Sequence, residues 1–70
     1  MNELERAEGR RRGKELTAEY DAALDKVKMA MNRFLREDSV ESAVAFREAD
    51  DAARVADDAL RDFVQAKIRA

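Results

Sequence analysis

Residues 46–70 read FREADDA ARVADDA LRDFVQA KIRA when set out in sevens from Phe46. Ala45, Ala52, Ala59 and Ala66 fall seven apart, and so do Arg47, Arg54 and Arg61. In the same frame Phe46, Ala49, Ala53, Ala56, Leu60 and Phe63 alternate at spacings of three and four, which sets them on one stripe of an α-helix. Heptad order of this length predicts a helix that packs lengthwise against another. The middle of the stripe is alanine, so a facing helix can approach closely and fill the space above with larger side chains.

Upstream, Tyr20, Leu24, Val27, Met31 and Phe34 recur at spacings of 4, 3, 4 and 3. They predict a first helix over about 15–36, with Leu16, Ala23 and Ala30 beside the stripe and Glu19, Asp25, Lys26 and Arg33 opposite. An antiparallel hairpin brings the two midpoints together, so Leu24, Val27 and Met31 are expected over the alanines. Between the helices, Arg36-Glu37-Asp38-Ser39 carries no apolar residue. Asp38 with Glu41, or Ser39 in its place, is expected to cap a second helix over about 39–69. Met31 and Phe46 occupy equivalent positions yet lie 15 residues apart, one more than two heptads. A tight αα-turn near 36–39 accounts for the lost register; one bent helix with a skip residue is the alternative. Four-residue pairs such as Asp50 with Arg54 and Asp57 with Arg61 add only about 0.2–0.5 kcal/mol each.

Residues 1–14 leave three readings open: a mobile basic arm, a short helix, or an extension of the first helix. Asn2 with Glu5 can cap a helix carrying Leu4 and Ala7. Against this, Gly9 and Gly13 bracket Arg10-Arg11-Arg12, and each glycine costs a helix about 1 kcal/mol relative to alanine.

The fold class that follows is all-α: an antiparallel two-helix hairpin, expected to assemble as a homodimeric four-helix bundle. With 70 residues, no Cys and no His, the chain has neither disulfides nor the usual zinc ligands to reinforce a small core. Val40, Val44, Val55, Val64 and Ile68 also exceed what a two-helix core can cover. No apolar run is long enough to span a bilayer, and MNELERAE does not open like a secretory signal, so a cytoplasmic protein without membrane contact is expected.

Chemistry-bearing patterns are sparse. Without His or Cys there is no activated nucleophile to name, and Ser39 and Ser42 read as helix-start residues. The Asp50-Asp51 and Asp57-Asp58 pairs lack the spacing of a calcium loop. No catalytic residue, cofactor or metal ligand is assigned, and no enzyme is expected. Arg10, Arg11, Arg12 and Lys14 form a possible contact for an anionic partner. However, residues 37–70 hold nine acidic and five basic side chains, unlike a whole-domain nucleic-acid binder.

The expected function is therefore a homo-oligomeric protein–protein interaction module, with itself as first partner and possibly another protein as well. The alternatives are a small nucleic-acid-binding regulator using Arg10–Arg12, and a small chaperone or subunit of a heteromeric complex. In outline the chain resembles plasmid copy-control helical hairpins, which dimerise and bind RNA hairpins, and equally acidic secretion chaperones and small phage or bacterial accessory proteins. No residue motif is shared, so no functional residue is carried over.

Ala56→Glu at the middle of the alanine seam is expected to cost several kcal/mol in urea unfolding, because it sets an unpaired charge where two helices approach closely.

Overall fold

The computed structural model describes residues 2–70 and contains two helices, α1 (Glu3–Glu37) and α2 (Val40–Arg69). They pack against each other as an antiparallel hairpin. The Cα envelope is a slab of 53 × 18 × 12 Å, two helices wide and one helix thick.

α1 begins where the chemistry of its first turn favours it. The Asn2 side chain accepts the Glu5 amide at 2.8 Å, and Glu3 and Glu5 lie in the first turn, favourable for the helix dipole. Residues 3–14 then continue α1 without a break. The two glycines do not interrupt it because they lie on its contact face. An ideal Cβ on Gly13 would sit 3.3 Å from the Phe63 ring, and one on Gly9 would sit 2.7 Å from Nζ of Lys67. Their missing side chains let Phe63 and Lys67 of α2 lie across the backbone of α1.

Two residues make the turn. Asp38 adopts the left-handed conformation (φ 46°, ψ 47°), and its amide donates to the Phe34 carbonyl at 2.8 Å. Asp tolerates this conformation better than most side chains. Ser39 is extended and caps α2. Its Oγ accepts the Ser42 amide at 3.1 Å, while Ser42 Oγ accepts the Ser39 amide at 3.1 Å. The Ser42 hydroxyl donates to the Ser39 carbonyl at 2.9 Å, and Ser42 is fully buried. The expected Asp38–Glu41 cap is thus replaced by Ser39–Ser42. Asp38 already ends α1 in the left-handed region and does not have the extended backbone an N-cap uses. The bent single helix gives way to this tight turn.

Contacts at both ends mark the pairing of the helices. At the open end the Phe63 ring lies over Gly13 and the Lys67 ammonium over Gly9. Near the turn, Phe34 and Phe46 meet edge to face, with centroids 6.4 Å apart and planes at 62°. Between these ends the α1 residues at least half-buried at 3-4 spacing are Leu16, Tyr20, Ala23, Val27, Ala30 and Phe34. The α2 side is Ser42, Phe46, Ala49, Ala53, Ala56, Leu60 and Phe63, which contains the whole heptad seam. Among the described residues, Leu16 and Ala53 are the buried hydrophobic ones. Leu24 is half-buried on the flank, and Met31 is 39% exposed. From Tyr20 the 3-4 alternation continues equally well through Ala23 and Ala30 or through Leu24 and Met31. The contact takes the smaller set, which lets the backbones come together.

Two expectations follow. Ser39→Ala should lower unfolding free energy by about 1 kcal/mol, whereas Ser39→Asp, which keeps an acceptor, should cost much less. Gly9→Ala should raise the melting temperature, gaining up to about 1 kcal/mol of helix propensity because only the flexible end of Lys67 must move. Gly13→Ala should gain less or lose stability, since the Phe63 ring must shift; equal gains at both glycines would contradict the close approach.

Candidate functional site

A slab one helix thick has two broad faces, and the side chains flanking the seam divide between them. One face carries a depression of about 590 Å³ over Leu60, Phe63 and Val64, bordered by Arg10, Lys14, Thr17 and Asp21 of α1. Further along the same face Tyr20 and Leu24 line a shallower depression with Asp50, Ala53, Arg54 and Asp57. Helical spacing carries this face on through Lys28, Met31 and Leu35 of α1, and through Val40, Arg47, Arg61 and Ile68 of α2. Leu35, Val40 and Ile68 are more than 70% exposed.

The opposite face is lined by Lys26, Met29, Ala30, Arg33, Arg36 and Ala45. By the same spacing it takes in Ala52, Ala59 and Ala66, together with Glu41, Glu48, Val55 and Asp62. The seven-residue alanine repeat and the seven-residue arginine repeat therefore flank the seam on opposite faces of the slab.

The ion pairs among the described residues all lie within one helix. Arg33 meets Glu37 at 2.9 Å, Arg54 meets Asp50 at 3.0 Å and Arg61 meets Asp57 at 3.0 Å. None of them ties α1 to α2. At these exposed positions each contributes at most a few tenths of a kcal/mol.

Arg10, Arg11 and Lys14 line one shallow depression on α1 with Ala7, Glu15 and Ala18, and Arg12, next in sequence to Arg11, points about 100° away from it. Arg10 and Lys14 border the larger depression. Arg11 and Arg12 both turn toward Glu15, at 4.0 and 3.3 Å. Of the seam residues, Phe46, Ala49, Ala53, Ala56, Leu60 and Phe63 share the contact face with Tyr20, Val27 and Phe34, while Leu24 and Met31 stand on the first open face. Sequence reasoning missed Gly9 and Gly13 as contact residues. Their spacing of four, continuous with Leu16 and Tyr20 at 3-4 steps, was the available signal.

Lys67 Nζ lies 5.6 Å from the centre of the Phe63 ring, a cation–π contact at the open end of the hairpin. Among the described residues no cluster of three or more acidic side chains is arranged to hold a metal ion, and no helix is long and apolar enough to cross a membrane. No protein family, curated protein or solved structure matches the chain.

Proposed function

We propose that this hairpin is a non-enzymatic interaction module whose first partner is a second copy of itself, two hairpins completing a four-helix bundle. The observation that carries this reading is the exposed area. The chain leaves 5704 Å² accessible. A compact monomer of its 8.0 kDa exposes about 4,450 Å², so the excess is about 1,250 Å². A stable interface of standard size covers about 800 Å² on each partner. The radius of gyration agrees: 16.1 Å, against about 11 Å for a compact domain of this length.

The composition of the excess supports the same reading. Leu35, Val40, Val64 and Ile68 are large apolar side chains left open by the hairpin. Among the described residues only Leu16 and Ala53 are buried hydrophobics, which is a thin core for an independent domain. Doubling the slab covers one apolar face of each copy and brings the half-buried Tyr20, Leu24, Leu60 and Phe63 into a closed interior.

Light scattering across protein concentration, with helicity recorded on the same samples, is expected to give about twice the 8.0 kDa chain mass at high helicity. Helicity should fall together with the dimer on dilution. A highly helical particle of single-chain mass at every concentration would overturn the reading.

A further inference from the structure

We propose that the open end of the hairpin is a basic pole that binds the phosphate backbone of a nucleic-acid duplex. The pole is independent of the oligomeric reading above, since one copy or two presents it.

Closure of the hairpin gathers charge that the sequence divides between the two ends of the chain. Phe63 over Gly13 and Lys67 over Gly9 set residues 63–69 of α2 beside residues 6–14 of α1. These two segments hold seven basic side chains and one acidic, Glu8, a net charge of +6. The whole chain is −2, so its remainder carries −8. Glu3 and Glu5 lie just outside, in the first turn of α1, where the helix dipole favours them. An acidic protein thus has one strongly basic end, which its total charge conceals.

The cations at that end are poorly neutralised from within. Arg6, Arg10, Lys14, Lys67 and Arg69 take part in no ion pair among the described residues. Arg11 and Arg12 share a single carboxylate, that of Glu15. The depression that Arg10, Arg11 and Lys14 line with Ala7, Glu15 and Ala18 has a volume of about 490 Å³. Ala7, Arg11, Lys14 and Ala18 recur at spacings of 4, 3 and 4 on the side of α1 turned away from α2, and all four are exposed. Small residues between long cations leave room for an anionic group to meet several donors. A second slab stacked on either broad face leaves this edge open.

The chemistry of the edge selects its occupant. Guanidinium groups meet phosphate oxygens through paired hydrogen bonds, and a convex row of cations can follow a backbone without a deep pocket. An acidic protein surface would need a large apolar anchor at the centre of the contact. The depression offers only alanine. A single strand would need an open aromatic ring on which to stack its bases. The ring at this end, Phe63, is already engaged by Gly13 on α1 and by Lys67 Nζ, 5.6 Å from its centre. A duplex needs neither, and contacts to its phosphates carry no sequence preference.

Fluorescence anisotropy of short labelled DNA and RNA duplexes tests this with the full chain. Three engaged phosphates predict a slope of log affinity on log salt of about −2.7 for DNA, which is roughly a 40-fold loss between about 50 and 200 mM salt. Arg10→Gln with Lys14→Gln should bring that slope to about −0.9 and weaken binding roughly tenfold or more at low salt. Lys26→Gln with Lys28→Gln makes the same change in total charge near mid-hairpin and should leave the slope unchanged.

Equal losses from the two double variants would overturn the pole, as would a wild-type chain that binds neither duplex at about 50 mM salt. Tighter binding to single strands or to polyglutamate than to duplexes would overturn the assigned occupant. Where Arg10→Gln with Lys14→Gln also lowers helicity, Lys67→Gln with Arg69→Gln in the last turn of α2 decides, and an unchanged slope there overturns the proposal.

Discussion

The structure depends on how close two helix backbones can come when the residues between them are small. Ala23 and Ala30 on α1 face the level of Ala49, Ala53 and Ala56 on α2, and Gly9 and Gly13 extend the small surface to the open end. Close approach seats Phe63 over Gly13, and a shift of one turn toward Thr17 would drive its ring into a side chain. The same smallness limits how much apolar area the contact removes from water, and that area is the main stabilising quantity. A seam of glycine and alanine therefore specifies a pairing without supplying a large core. Bulk sits at the flanks instead, in Leu24, Met31, Leu35, Val40, Val64 and Ile68, where one hairpin cannot cover it.

Charge is distributed by the same logic. Arg33 with Glu37, Arg54 with Asp50 and Arg61 with Asp57 satisfy one another four residues apart and support each helix locally. None of them selects a partner helix within the chain. The seam flanks on α2 are alanine on one face, so the basic residues Lys26 and Arg33 of α1 find no acidic neighbour across the hairpin there. On the other face Asp50 and Asp57 alternate with arginines in a sequence that can be read in either direction. Intrachain pairing is thus a matter of shape, and the discrimination that charge offers is left for what packs on the outside.

Much of the fold was legible because it rests on period. The heptads from Phe46 onward place the whole α2 seam, and the absence of apolar residues at 36–39 marks the turn. The Ser39–Ser42 box was open to the same reading, but Asp38 with Glu41 offered an equally good local pattern. Only the left-handed backbone of Asp38 decides between them. The α1 stripe divided for a related reason. Tyr20, Val27 and Phe34 belong to both possible alternations, and size preference favours Leu24 and Met31 over Ala23 and Ala30. The choice is made by the partner helix, whose alanines reward approach over bulk. Residues 3–14 were ambiguous because a helical glycine carries its penalty in sequence, while its compensation lies in a contact fifty residues away.

Each helix consequently bears two stripes at 3-4 spacing, one used inside the hairpin and one left outside. On α1 the second runs from Arg10 through Thr17 and Leu24 to Met31; on α2 it runs from Val40 through Asp50 and Asp57 to Val64. A surface helix that meets one neighbour needs a single stripe, and its other positions can be polar throughout. A helix in a four-helix bundle meets two, so a second stripe is the pattern expected of one layer of such a bundle.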